Sequence, residues 1–256
     1  MWSIFTKEIN SFLNSLIAYL VMGVFLVSMG LLVWVFPDTA IFEYGYADMG
    51  IFFNLAPYVL MFLIPAITMK ALAEESKSGT FELLMTKPIT ELKLLLGKYL
   101  AGLVLVVISL IPTLVYYFSL SYLSNPVGNV DSAGIMGAYI GLLFLVSAYT
   151  GIGIFASSLS ENQIVAFIIA VFISFIFFMG FSSIADLPFI AESSLQIEKA
   201  GMLAHYDSLG KGVIDFRDML YFVSITALFL GATFWVLKLR KWNSYRRSQQ
   251  NIRSSF

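Results

Sequence analysis

Six long runs without a single charged or histidine residue divide this 256-residue chain: 16–36, 51–69, 99–120, 134–159, 164–185 and 220–237. Each has 18 to 26 residues, and about 20 suffice to cross a hydrocarbon core roughly 30 Å thick. A charge at mid-membrane costs at least about 2.5–3.5 kcal/mol on insertion scales, and every run avoids it. Lipid offers no partner to backbone polar groups, so continuously apolar runs of this length must satisfy themselves as helices; the alternation of a barrel strand is absent. Only 12% of the chain is charged, about half the fraction of a soluble domain. The expected fold is an all-α membrane protein, a single domain over 1–256 with six transmembrane helices.

The charges between the runs orient the bundle. With both termini inside, Lys7, the five lysines of 70–98 and the basic tail from Lys238 onward lie in the cytoplasm. Of 15 basic residues only Lys199, Lys211 and Arg217 are then left outside. The positive-inside rule selects this orientation. The tail KLRKWNSYRRSQQNIRSSF reads as a topological anchor that binds anionic lipid; with no folded basic domain to carry it, nucleic-acid binding is not expected. At the other end Trp2, Phe5, Ile9, Phe12 and Leu16 share one helical face, which predicts a short amphipathic helix on the membrane surface leading into span one.

The outer segment 186–219 should contain one amphipathic helix, with Leu195, Met202, Leu203, Tyr206 and Leu209 on its apolar side, Ser194 at its start and Gly210 at its end. His205, the single histidine, reads with its neighbouring acids as solvated loop charge. Pro57, Pro65 and Pro112 should bend spans two and three. Gly137 and Gly141 form one G-x-x-x-G in span four, consistent with close helix contact. The link 160–163 makes spans four and five a tight hairpin.

Several chemistries are excluded. There is no cysteine, no second histidine and no H-E-x-x-H. No phosphate loop is present, since Gly97-Lys98 lacks the glycine five residues before Gly97, so the chain is not expected to hydrolyse ATP or to be an enzyme. The spans hold none of the ionisable relays that ion-coupled carriers use. Any driving force must come from another chain.

The remaining informative stretch is 70–98, KALAEESKSGTFELLMTKPITELKLLLGK. Span two should continue as a helix to Ser76 and break at Ser78-Gly79. Thr80 can cap a short helix with Glu82 in its first turn, which Pro88 ends; Thr90 can cap the next helix, leading into span three. A small helix presenting Leu83, Leu84 and Met85 beside acids suits a groove on a soluble partner.

Glu74-Glu75, Gly79-Thr80, Glu82-Leu83-Leu84, Pro88 and Gly97-Lys98 resemble the pattern of ABC type-2 transporter permeases. LSENQIVAF at 159–167 and SLGKGVIDFRDMLYF at 208–222 are also similar to that family. Within it the chain most resembles permease subunits associated with bacterial gliding motility. The resemblance implies a multi-pass protein of the bacterial inner membrane that pairs with a second membrane subunit, a different chain by that likeness or else a second copy. It also implies a cytoplasmic ABC ATPase subunit that binds the ATP and Mg and docks on a coupling region comprising Glu74, Glu75, Gly79, Thr80, Glu82, Leu83, Leu84 and Pro88. The alternative is a non-transporting membrane scaffold of a secretion or motility apparatus.

Overall fold

The computed structural model describes residues 1–41, 48–79, 90–188, 193–210 and 215–254. Every regular element among them is helical. The order is α1 (Trp2–Leu13), α2 (Leu16–Trp34), α3 (Gly50–Thr68), α4 (Lys70–Lys77), α5 (Glu91–Leu110) and, after a 3-10 turn at Ile111–Thr113, α6 (Leu114–Leu123). Then come α7 (Ser132–Leu159), α8 (Gln163–Phe175), a π-helical turn at Ile176–Gly180, α9 (Phe181–Ala185), α10 (Ser194–Glu198), α11 (Met202–Gly210) and α12 (Phe216–Ser254).

Five continuous helical stretches are long and apolar enough to cross a membrane: Gly50–Lys77, Glu91–Leu123, Ser132–Leu159, Gln163–Ala185 and Phe216–Trp242. A sixth appears if the pair Trp2–Leu13 and Ala18–Trp34, bent by 69°, is counted as one span. That bend separates α1 from α2, as expected of a surface helix that turns into the bilayer. The prolines act unequally. Pro57 and Pro65 sit inside α3, while Pro112 converts one turn to 3-10 geometry, because its missing N–H breaks the ladder. The π turn in span five had no signal in the apolar run.

The bundle is organised around α7, the most enclosed span, which packs against α3, α4, α5, α8, α11 and α12. Small residues allow this. A Cβ on Gly153 would lie within 3 Å of Thr68, and one on Gly102 would meet Thr150 at 3.3 Å, so α3, α5 and α7 approach almost backbone to backbone. Buried hydroxyls find partners across the same helices. The Tyr99 hydroxyl lies 2.7 Å from Ser147 Oγ, which lies 3.2 Å from Thr226 Oγ1, joining α5, α7 and α12.

The outer segment differs from expectation. One helix becomes two, α10 and α11, with Gly201 between them, where a Cβ would stand 2.9 Å from the Phe181 Cβ. Leu195 stays exposed, while Met202, Tyr206 and Leu209 are buried. Leu209 fills the space left by Gly141, so that glycine seats α11. Tyr206 donates from its hydroxyl to the Phe53 carbonyl at 2.8 Å, and burial pushes its phenol well above the ordinary range, keeping it a donor. His205 is no solvated loop charge: Nδ1 meets Asp218 Oδ1 at 2.6 Å, Nε2 meets the Lys199 carbonyl at 2.9 Å, and the ring stacks on Tyr221. Two acids of the connecting loops accept at helix starts: Asp131 caps α7 through the Gly134 N–H, and Asp48, one residue before the α3 N-cap, accepts from the Gly50 N–H.

Candidate functional site

The two described flanks of the charged segment, 70–79 and 90–98, meet α1, the end of α7 and the far part of α12 at one end of the bundle. The first flank is α4. It follows α3 after a break at Met69, and the break frees backbone groups in the first turn of the new helix. Ser157 of α7 satisfies them from 85 residues away. Its hydroxyl oxygen accepts from the Leu72 N–H at 2.9 Å and the Ala73 N–H at 3.0 Å, and donates to the Met69 carbonyl at 2.9 Å. A serine thus serves as an N-cap supplied from another helix. α4 ends at Ser78, and Gly79 adopts the left-handed φ of +69°, which only glycine adopts freely. On the second flank the Thr90 hydroxyl accepts from the Lys93 N–H at 3.4 Å, and Glu91 lies in the first turn of α5, where the helix dipole favours an acid.

An ion cluster joins the two flanks to the N-terminal helix. Lys98, only 3% exposed, places Nζ 2.8 Å from Glu8 of α1 and 2.9 Å from Glu75 of α4. Lys7 stands 3.8 Å from the same Glu75 oxygen and remains largely in solvent. A buried ammonium is tolerated only when paired, and here two carboxylates from two elements hold it. The approach is tight, because Gly97 leaves room for Ile4 of α1 against α5.

The C-terminal part of α12 closes the other side. Lys241 Nζ meets Glu91 Oε1 at 2.5 Å, and Arg240 Nη1 donates to Ser76 Oγ at 2.5 Å. The hydrogen bond from Lys241 holds the Glu91 carboxyl below its ordinary range. The first cations of the basic tail therefore clamp both flanks.

Between α1, the α3–α4 junction and α5 lies an open cleft of about 350 Å³. Its mouth carries Lys7, Lys70 and Glu74, with the Glu8–Lys98–Glu75 cluster on its wall. Its floor is apolar, formed by Phe12, Ile67, Ala101, Leu105 and Ile154.

The residues expected to form a coupling region separate into three groups. Glu74 is exposed on α4, facing the cleft mouth. Glu75 turns inward to Lys98, and Gly79 ends α4. Thr80, Glu82, Leu83, Leu84 and Pro88 lie outside the described residues. Sequence reasoning missed Glu8, Lys98 as an ionic hub, Ser157, Arg240 and Lys241. Glu8 carried a faint signal: it follows Ile4 by four residues, on the side of α1 that packs inward.

A family model described as "ABC-2 family transporter protein" matches residues 36–242. No curated protein matches the chain. The helical membrane bundle and the family match agree, and they assign this chain to the ABC-2 transporter family, whose members are membrane permease components that generally work with a cytoplasmic ATPase subunit.

Proposed function

We propose that this chain is the membrane-spanning permease subunit of an ATP-binding-cassette exporter complex of the bacterial inner membrane, associated with gliding motility. A separate ATPase subunit holds ATP and Mg, a second membrane subunit encoded by a different chain completes the pore-forming pair, and both termini face the cytoplasm. The ATPase docks on the segment after span two, through Glu74, Thr80, Glu82, Leu83 and Leu84. The observation that carries this reading is the fixation of both flanks of that segment. α4 is tied to α7 through Ser157, to α5 and α1 through Glu75–Lys98–Glu8, and to α12 through Ser76–Arg240. A push delivered between residues 79 and 90 therefore reaches the bundle through polar links as well as through two chain connections. The likeness to gliding-motility permeases supports the motility association and the different partner chain.

Glu75 takes a supporting part, since its carboxylate is committed inside the protein. The docking test is accordingly the pair Glu74→Ala and Glu82→Ala, leaving Glu75 intact. Co-purification of the ATPase subunit should fall, and the permease-dependent change in its ATPase activity should be lost. Unchanged co-purification and activity would refute docking at this segment. Motility that survives a hydrolysis-dead ATPase would transfer the chain to the scaffold reading.

A further inference from the structure

The cleft between α1 and α4 has a composition that the family match does not use and that docking shares only at Glu74. It combines cations and anions at its mouth with an apolar floor. From Lys98 to Leu105 along α5 is seven residues, about 10 Å at 1.5 Å per residue. That is a headgroup-to-acyl-chain gradient, open where an amphipathic helix bends by 69° into the first span. The charges are unevenly satisfied. Lys98 is saturated by Glu8 and Glu75 at 2.8–2.9 Å, and that trio keeps one negative charge. Lys70, half-buried on the same wall, makes no ion pair or hydrogen bond among the described residues. Among the described residues Lys7 has only its long 3.8 Å ion pair with Glu75. A half-buried ammonium calls for an anion, and a phosphate is the anion present at this depth of a bilayer. Glu74 at the mouth supplies a carboxylate for a cationic end group. Three lysines and three glutamates in all line the cleft, Lys7, Lys70 and Lys98 against Glu8, Glu74 and Glu75. This balance suits a zwitterion better than a net anion.

We propose that the cleft binds one zwitterionic phospholipid, with its phosphate on Lys70 and Lys7, its ammonium toward Glu74 and the start of its acyl chains against Phe12, Ile67 and Leu105. The lipid then fills the wedge between the surface helix and the charged flank. The claim rests on the membrane placement of α1 and the spans. It does not require the ATPase to dock, and its test uses the permease alone.

The full-length protein is reconstituted in vesicles of phosphatidylethanolamine and phosphatidylglycerol that contain a trace of phosphatidylethanolamine with a photoreactive group at the top of one acyl chain. Illumination should label peptides containing Phe12, Ile67 or Leu105. Lys7→Gln with Lys70→Gln should cut that labelling about ten-fold, the loss expected when charge-assisted bonds to a phosphate are removed. Lys7→Arg with Lys70→Arg should retain it, which separates lost charge from misfolding. A phosphatidylglycerol probe should label these peptides less. Labelling elsewhere only, labelling unaffected by the glutamine pair, or equal labelling by the glycerol probe would overturn the proposal. So would stabilisation of the detergent-solubilised protein by inorganic phosphate alone with no lipid label in the cleft, which would assign the site to a free anion.

Discussion

Lys98 illustrates how one side chain decides a local structure. Its ammonium is out of water yet touches two carboxylates from elements 90 and 23 residues away in the chain. Removing it leaves Glu8 and Glu75 facing each other with only the solvent-exposed Lys7, 3.8 Å from Glu75, as a cation. Lys98→Met should destabilise the fold by about 3–5 kcal/mol, the usual effect of breaking a buried pair from one side. Adding Glu8→Gln and Glu75→Gln to the same variant should recover most of the loss, because no uncompensated charge remains. Thermal unfolding of the detergent-solubilised proteins measures both. If the single variant melts like the wild type, the ion cluster does not hold α1 in place. The cluster was only partly legible in the sequence. A lysine after glycine at the foot of a span looks like an interfacial cation, and nothing in its neighbours says that its partners lie on α1 and α4.

At the scale of elements, what could be read depended on how local the cause was. The six apolar runs, the break at Ser78-Gly79, the Thr90 cap and the α7–α8 hairpin follow from composition and from bonds within a few residues. The segment 186–219 did not, because the break between α10 and α11 falls at Gly201, whose close approach to Phe181 is a contact between distant parts of the chain. Ser157 is the same case in the polar sense: one serine near the end of an apolar helix carries no sign that it caps another helix. Ser157→Ala should leave the Leu72 and Ala73 N–H groups unpaired and cost about 1–3 kcal/mol, while Ser157→Thr keeps the hydroxyl and should cost less. Hydrogen exchange at those two amides is the direct readout. Protection unchanged in the alanine variant would show that α4 needs no outside cap.

For the whole molecule the decisive question is orientation. The structure gathers α1, both flanks of 70–98 and the basic start of the tail at one end, with α10 and α11 at the other. The proposed topology, supported by the charge bias, puts the first end in the cytoplasm. Because the chain contains no cysteine, a single introduced thiol is the only one present. A membrane-impermeant maleimide applied to intact cells should label Gln196→Cys on α10 and spare Ser78→Cys until the membrane is opened. The reverse pattern would invert the topology and remove the docking proposal with it.

α12 runs 39 residues without a break, about 58 Å at 1.5 Å per residue, nearly twice the thickness of the hydrocarbon layer. Its start is pinned by Asp218 to the outer helices and its later turns by Arg240 and Lys241 to the opposite end. Such a rod acts as a tiller. A tilt of a few degrees at the Arg240–Lys241 end must swing α11 at the opposite end the other way about a fulcrum on α7, so the two ends of this protein cannot rearrange independently.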